Sequence, residues 1–376
     1  MPLTHTSSRV LEFDSLRDLL RGYAASPLGQ ARIGQLSPSA DRDWIENQHQ
    51  LTTEIREFRR VGGSFDFSGL LDASAQVEKS RITGAALEIA EIRDVILVVD
   101  RAAEWRQIAL NPPAAMKIPW KAAAELSSNI ADLTILLRFF RNKILPDGTL
   151  DDRASPELAR VRREVEKQRR AIQDSLRHYL RHLAEGGTVQ DEVVTIRGER
   201  FVIPVKVEQK RRVQGVVHGA SSSGQTVFVE PLETIEQNNE LVRLLEEEQA
   251  ETHRILLEMT SRISEYAEAI IAALDTLREI ELHFAEARFA EDYNCVPVGF
   301  AAAANERQLI LQKARHPLLE RNLKLKGGHI VPISVELQGE QKELIITGPN
   351  TGGKTVALKT IGMLVLMAQA GLPVPA

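Results

Sequence analysis

Residues 232–296 contain neither glycine nor proline, and this stretch constrains the fold more than any other part of the chain. Apolar side chains recur there every three or four residues, as at Leu241, Leu245, Met259 and Ile263, which is the spacing of one face of an α-helix. Because the two residue types that most often interrupt a helix are missing, the stretch predicts one helix that continues to Asn294, about 95 Å long at 1.5 Å per residue. A helix of this length indicates an extended arm.

A second helix is predicted before a short β-rich segment. Ser155 can cap this helix with Pro156 in its first position, and Gly186 and Gly187 can end it. Between the two helices, β-branched residues alternate between turn formers, which predicts a small antiparallel sheet. The predicted strands cover residues 193–196, 201–207, 213–218 and 226–229. One helix out, a sheet and a longer helix back describe an arm with a β tip.

The composition is that of an ordinary globular protein. Of the 376 residues, 43% are hydrophobic and 26% are charged, with a formal net charge of −5, which is typical of soluble chains with two or three domains. The single cysteine, Cys295, excludes a disulfide framework and a cysteine-based zinc site. Because the apolar runs are too short or too interrupted to span a bilayer, we expect a cytoplasmic protein without membrane contact.

An octapeptide matches the phosphate-binding pattern G-x-x-x-x-G-K-[ST]. It consists of Gly348, Pro349, Asn350, Thr351, Gly352, Gly353, Lys354 and Thr355. Residues 343–347 predict a buried strand before it, and residues 354–370 predict a helix after it, which is the context that the motif requires. The glycines let backbone N–H groups and the positive helix end converge on one anion. Lys354 would then neutralise β- and γ-phosphate oxygens, and the Thr355 hydroxyl would bind Mg²⁺.

Hydrolysis requires more than this loop. A carboxylate on a second strand must help to hold Mg²⁺, and a further group must orient the attacking water. Residues 356–376 contain neither aspartate nor glutamate. We therefore expect this chain alone not to hydrolyse ATP, and no catalytic residue is assigned in it.

Basic residues are concentrated in the predicted arm. Residues 160–215 contain 14 Lys or Arg against 8 Asp or Glu. The arginines of the first helix could contact nucleic acid, but residues 232–294 hold 16 acidic and 5 basic residues, so charge pairing between the two helices is the favoured interpretation. In the sheet no acidic partners are evident, which favours contact with a phosphate backbone. The sheet cations are Arg197, Arg200, Lys206, Lys210, Arg211 and Arg212.

Short segments spread over the whole chain form a specific combination. They are residues 11–14 (LEFD), 26–29 (SPLG), 152–158 (DRASPEL), 195–197 (TIR), 202–206 (VIPVK), 215–218 (GVVH), 223–231 (SGQTVFVEP), 238–241 (NNEL), 314–319 (ARHPLL) and 345–355 (IITGPNTGGKT). With these segments the chain resembles the bacterial MutS family, and more narrowly its type-two branch, which lacks the mismatch-reading N-terminal domains.

The resemblance implies an ATP-binding protein that works as a homodimer. Each nucleotide would lie between two ABC-type ATPase domains, with Ile330 and Val331 where the family packs apolar side chains against adenine. The family's clamp grips duplex or, in this branch, branched DNA to limit recombination, and some members resemble ribosome-rescue factors that split collided ribosomes. DNA and the ribosome therefore both stay open as partners. Complete members also carry a small C-terminal nuclease domain, whereas this sequence stops before the second carboxylate strand, the ABC signature and that domain.

The resulting expectation is a mainly α protein with an α/β part. It comprises a helical core domain (residues 1–154), an outbound lever helix (155–190), a β-containing clamp tip (191–231), a long return lever helix (232–296) and the beginning of an ABC-type P-loop ATPase domain (297–376).

Overall fold

The computed structural model describes residues 10–185, 193–301, 308–339, 341, 343–348 and 353–376. This chain divides into two compact units. The first unit consists of Met1–Glu78, Arg93–Leu137 and Tyr266–Ala376, and the second consists of Lys79–Ile92 and Arg138–Glu265.

Helices account for most of the structure, and the strands are few and short. The helices are α1 (Phe13–Arg21), α2 (Pro27–Gly34), α3 (Arg42–Arg60), α4 (Ser74–Ser80), α5 (Ile89–Leu110), α6 (Ala122–Ser127), α7 (Thr134–Phe140), α8 (Pro156–Glu185), α9 (Ile235–Glu265), α10 (Ala267–Asp292), α11 (Pro317–Leu325) and α12 (Lys354–Gln369). Single 3₁₀ turns cover Asp152–Ala154, Val207–Arg212 and Leu232–Thr234. The strands are β1 (Thr195–Arg197), β2 (Arg200–Lys206), β3 (Gly215–Ala220), β4 (Thr226–Pro231), β5 (Leu309–Ala314) and β6 (Ile333–Leu337). Within the described ranges, each helix is too short or too polar to cross a lipid bilayer.

The core of the first unit is built around α10. Leu282 and Phe289 of α10 pack in one apolar cluster with Leu16 of α1 and with Met363 and Met367 of α12. Trp105 of α5 lies in an aromatic group with Phe58 and Phe284, at ring-centroid distances of 6.2 and 5.8 Å. α12, which begins with the last two residues of the octapeptide, is therefore anchored in this core by its second half, since burial of apolar surface is the main force that fixes a helix in place.

The second unit is a helix pair with a small sheet. α8 covers Pro156–Glu185 as the sequence predicts, and the Ser155 hydroxyl accepts a hydrogen bond from the Leu158 N–H at 3.0 Å, which is the expected N-cap contact. One side of α8 is apolar and buried. Its residues Val161, Val165, Ile172, Leu176 and Leu180 pack with Phe201, Ile203 and Val229 of the sheet and with Leu241 and Leu244 of α9.

The predicted antiparallel sheet is confirmed. Its strand order is β1-β2-β4-β3, with every pair antiparallel. Gly198 and Glu199 connect β1 to β2 with φ angles of +53° and +65°, a conformation typical of the tight turns of β-hairpins. Ile203 lies opposite Val229 in the central β2-β4 pair, so the register puts apolar side chains of both strands on the face that α8 and α9 cover.

The single long helix predicted for residues 232–294 is wrong in one respect. α9 ends at Glu265 and α10 begins at Ala267, because Tyr266 has φ −106° and ψ +11°. The Tyr266 carbonyl accepts a hydrogen bond from the Ile270 N–H at 2.9 Å, so the next helix restarts at once. The break thus requires neither glycine nor proline and leaves no signal in the sequence.

The buried strand predicted before the octapeptide is also wrong. Residues 343–347 belong to no strand, and the side chains of Leu344 and Ile345 are 46% and 81% exposed. A strand needs neighbours to satisfy its backbone groups, and in the described part of the chain these residues pair with none. In the described residues the α/β part is therefore limited to the antiparallel β5-β6 pair with α11 and α12, and the start of a P-loop domain stays a prediction.

Candidate functional site

Residues predicted to bind opposite ends of a nucleotide line one pocket in the first unit. The pocket has a volume of about 480 Å³ and is lined by Gly348, Gly353 and Lys354 together with Ile330 and Val331. This volume lies within the range of 300–1,000 Å³ that is usual for small-molecule sites. The two apolar residues and these three octapeptide residues are thus brought together, although the sequence separates them by 17 or more positions.

The first turn of α12 supplies the polar end of this pocket. Gly353 precedes the helix with φ +84°, a left-handed conformation that glycine adopts without steric cost. Lys354 donates a hydrogen bond from Nζ to the Gly348 carbonyl oxygen at 2.5 Å, so its ammonium group lies beside Gly348. Thr355 is exposed in the same turn. The predicted residues Pro349, Asn350, Thr351 and Gly352 lie outside the described residues.

His316 is a pocket residue to which the sequence alone assigned no role. It lines the pocket at the N-terminus of α11, is 4% exposed, and its Nδ1 atom is buried without a hydrogen-bond partner in the part of the chain that the structure describes. Burial lowers the pKa of His316 below its ordinary value, which favours the neutral ring. The ARHPLL segment of residues 314–319 contains this histidine and was the signal that could have found it.

Arg200, one of the six sheet cations, has an acidic partner after all. Its Nη1 atom lies 2.8 Å from Oε1 of Glu230, and its Nη2 atom donates to the Asn239 side chain at 2.6 Å. The other carboxylate oxygen of Glu230 lies 2.6 Å from Nε2 of His218. Because the Glu230 side chain is only 2% exposed, Arg200 serves to neutralise a buried carboxylate. The expectation that no acid pairs with Arg200 is therefore wrong, and its contact with phosphate stays a prediction.

The other five sheet cations are exposed. Arg197 is in β1, with its guanidinium carbon 4.2 Å from the ring centroid of Phe228. Lys206 ends β2, and Lys210, Arg211 and Arg212 follow within one 3₁₀ segment. All five side chains reach solvent, so they stay candidates for contact with a polyanion.

Four arginines of α8 form ion pairs of two kinds. Arg160 lies 2.5 Å from Glu247, and Arg162 lies 2.8 Å from Glu248, both on α9. For these two residues the predicted pairing between the helices is confirmed. Arg169 and Arg177 instead pair with Glu166 and Asp174 of their own helix.

Comparison with curated proteins relates the chain to one group. A protein of Pelotomaculum thermopropionicum named Endonuclease MutS2 is 35% identical over 97% of this chain. Proteins of the same name from Thermomicrobium roseum and from a Geobacillus species are 37% and 33% identical, each over 98% of the chain. By sequence, the chain belongs to the MutS2 branch of the MutS family. No protein-family model matches it.

The chain spans less than half of the length of these MutS2 relatives. It covers 45%, 46% and 45% of the three proteins named above. Within the shared part, the pocket residues Ile330, Val331, Gly348, Gly353 and Lys354 meet in one place, whereas the five exposed cations belong to the sheet of the second unit. A MutS2-type chain of this extent therefore has two separate candidate sites, one for a small molecule and one for a polyanion.

Proposed function

We propose that this chain is the ATP-binding and nucleic-acid-binding portion of a MutS2-type clamp protein. The observation that carries this proposal is the pocket that joins Lys354 and two octapeptide glycines to Ile330 and Val331. An anionic group fits one end, because Lys354 and the N-terminus of α12 are positive there. A flat apolar ring fits the other end, where Ile330 and Val331 offer aliphatic side chains.

Different residues of the pocket would bind different parts of the nucleotide and its metal ion. The N–H groups at the start of α12 and the Lys354 ammonium group would hold the phosphates, and the Thr355 hydroxyl would bind Mg²⁺. Mg²⁺ would supply charge neutralisation between the phosphate oxygens. In the complete protein, we propose that ATP binding closes a homodimer on duplex or branched DNA and that hydrolysis reopens it. This activity would limit recombination, with ATP hydrolysis and DNA cleavage carried by parts of the protein beyond this chain.

Lys354→Ala tests the nucleotide site. Charge-assisted hydrogen bonds to phosphate contribute roughly 1.5–3 kcal/mol, so we expect the variant to bind a fluorescent ATP analogue about 10- to 100-fold more weakly in Mg²⁺ buffer. Lys359→Ala is the matched control, because Lys359 is on the same helix but pairs with Glu12 at 3.0 Å. Equal affinities of Lys354→Ala and the wild-type chain would contradict the proposed site.

A triple variant at the sheet tests the nucleic-acid site. Lys210, Arg211 and Arg212 are exposed and adjacent, so replacing them with alanine removes three potential phosphate contacts. The slope of log affinity against log salt concentration should then fall by up to about 2.7, since each phosphate that a cation neutralises contributes roughly 0.9 to the slope. A control variant replaces Arg243, Arg254 and Arg262, which pair with glutamates of their own helix, and we expect its slope to equal that of the wild type. If the triple variant of Lys210, Arg211 and Arg212 keeps the wild-type slope, these three residues are not part of the interface.

A further inference from the structure

Five cations of α8 form a row along one side of the helix. They are Arg163, Lys167, Arg170, Arg177 and Arg181, and we call them the cation row. Their spacings of four, three, seven and four residues keep them on one face of a helix. The row covers 19 residues, from Arg163 to Arg181, and is about 27 Å long at 1.5 Å per residue.

The cation row is on the opposite side of α8 from its apolar contacts. Val161 and Val165 are buried against the sheet and α9, whereas Arg163, Lys167 and Arg170 are exposed. At 100° per residue, Arg163 is about 160–200° around the helix from these two valines. Arg160 and Arg162 can reach the glutamates of α9 because they flank the apolar side, and the row cannot.

The first three cations of the row are not neutralised by the second unit. Arg163, Lys167 and Arg170 make no ion pair with any residue that the structure describes. Two acids of α8 lie beside the row: Glu166, which pairs with Arg169 at 2.8 Å, and Asp174, which is 3.6 Å from Arg177. A surface pocket of about 640 Å³ beside α8 is lined by Arg163, Lys167 and Arg170 and also by Asp152, Glu166 and Glu248. These three acids pair with Arg162 and Arg169. The charge pairing that explains the flanking arginines therefore does not explain these three.

We infer that the cation row binds the sugar-phosphate backbone of duplex DNA, as a second contact in addition to the sheet. This inference rests on the proposed nucleic-acid function. Arg163 and Arg170 are seven residue steps apart, which is about 10 Å, and a DNA strand presents one phosphate per 3.4 Å of helix axis. Arg163, Lys167 and Arg170 therefore cover the axial rise of about three phosphates of one strand.

The side chains of the row favour a duplex over other polyanions. A protein partner would need apolar or aromatic anchors at the centre of its interface, and single-stranded nucleic acid is usually held by aromatic stacking. The positions of the row carry only Arg, Lys and the intervening Asp174. A surface of this kind can contact the phosphate groups of the backbone but does not distinguish one base sequence from another.

Replacement of Arg163, Lys167 and Arg170 with glutamine tests the inference. Glutamine keeps a helix propensity close to that of arginine and lysine, so circular dichroism should show unchanged helix content. For a DNA duplex longer than one helical turn, we expect the salt slope of the 376-residue chain to fall by about 2.7. Between 50 and 200 mM salt, the affinity of the wild-type chain should then decrease by a factor about 40-fold larger than that of the variant.

Two control variants and two other ligands make each outcome informative. Glutamine at Arg243, Arg254 and Arg262 should leave the slope unchanged, as should the charge-preserving pair Arg163→Lys and Arg170→Lys. An unchanged slope for the row variant, with DNA still bound by the wild type, would overturn the inference and leave the proposed function intact. A reduced slope for duplex RNA or single-stranded DNA, but not for duplex DNA, would overturn the choice of ligand. Failure of the wild-type chain to bind any of the three would overturn both the inference and the proposed nucleic-acid function.

Discussion

Glu230→Ala is expected to lower the free energy of unfolding of the second unit by about 3 kcal/mol. The Glu230 carboxylate is 2% exposed and lies 2.8 Å from Nη1 of Arg200 and 2.6 Å from Nε2 of His218. Removing one partner of a buried ion pair usually costs about 3–5 kcal/mol, because the remaining charge loses its compensation. The lower end applies here, since the Arg200 and His218 side chains are 24% and 25% exposed and water partly solvates them.

The effect should be local to the sheet and its junction with α9. Arg200 also donates to Asn239 of α9, and Asn238 bonds both backbone groups of Phe201, at 2.9 and 3.0 Å. Hydrogen exchange should therefore accelerate most in β2 and β4. Glu258→Ala is the control: Glu258 is 48% exposed and pairs with Arg254 at 3.3 Å in the same helix, so we expect a decrease in stability of about 0.5 kcal/mol or less. Equal decreases for the two variants would show that Glu230 is not the electrostatic centre of this junction.

The ion pair between Arg200 and Glu230 shows what sequence patterns miss. Its partner Glu230 is 30 positions away, and the two meet only because β2 pairs with β4 in one particular register. Register follows from the apolar faces of both strands together, and a count of neighbouring acids in the sequence does not contain it. By contrast, Lys210 to Arg212 are in a short exposed segment between strands, where local sequence is a better guide.

Helix boundaries were predictable where a chemical signal marks them. Ser155 and Pro156 fix the start of α8 through a cap and a preset φ angle. Tyr266 interrupts the long helix with no such signal, because the break consists of non-helical φ and ψ angles at this one residue. The pocket was predictable in part: the octapeptide pattern identifies Lys354, and resemblance identifies Ile330 and Val331, but the burial of His316 depends on the packing of α11.

Glu281→Ala is expected to lower the free energy of unfolding of the first unit by about 3 kcal/mol or more. Glu281 of α10 is 1% exposed and accepts hydrogen bonds from the Ala25 N–H at 2.9 Å, the Ser26 N–H at 2.7 Å and the Ser26 hydroxyl. Each donor left without a partner in a buried place costs about 1–3 kcal/mol. The same carboxylate explains why residue 29 is a glycine, because a Cβ atom at this position would lie 2.3 Å from Cδ of Glu281. Glu279→Ala is the control, because Glu279 is 29% exposed and pairs with Arg32 near the surface, so the expected decrease in stability is about 1 kcal/mol or less.

Glu281→Gln separates the charge of this side chain from its hydrogen bonds. Burial raises the pKa of Glu281 above its ordinary value, although the bonds from Ser26 and Ala25 oppose that shift. When the pKa of a group is higher in the folded state than in the unfolded state, its protonation stabilises the folded state. For Glu281 this stabilisation is complete below the unfolded-state pKa, near 4.5. It is lost as the pH rises through the folded-state pKa. The stability of the wild type minus that of Glu281→Gln should therefore decrease as pH rises from 4.5 toward neutrality, measured by urea unfolding at each pH. A difference that stays constant or increases over this range would show that the donors around Glu281 outweigh its desolvation and hold the carboxylate charged.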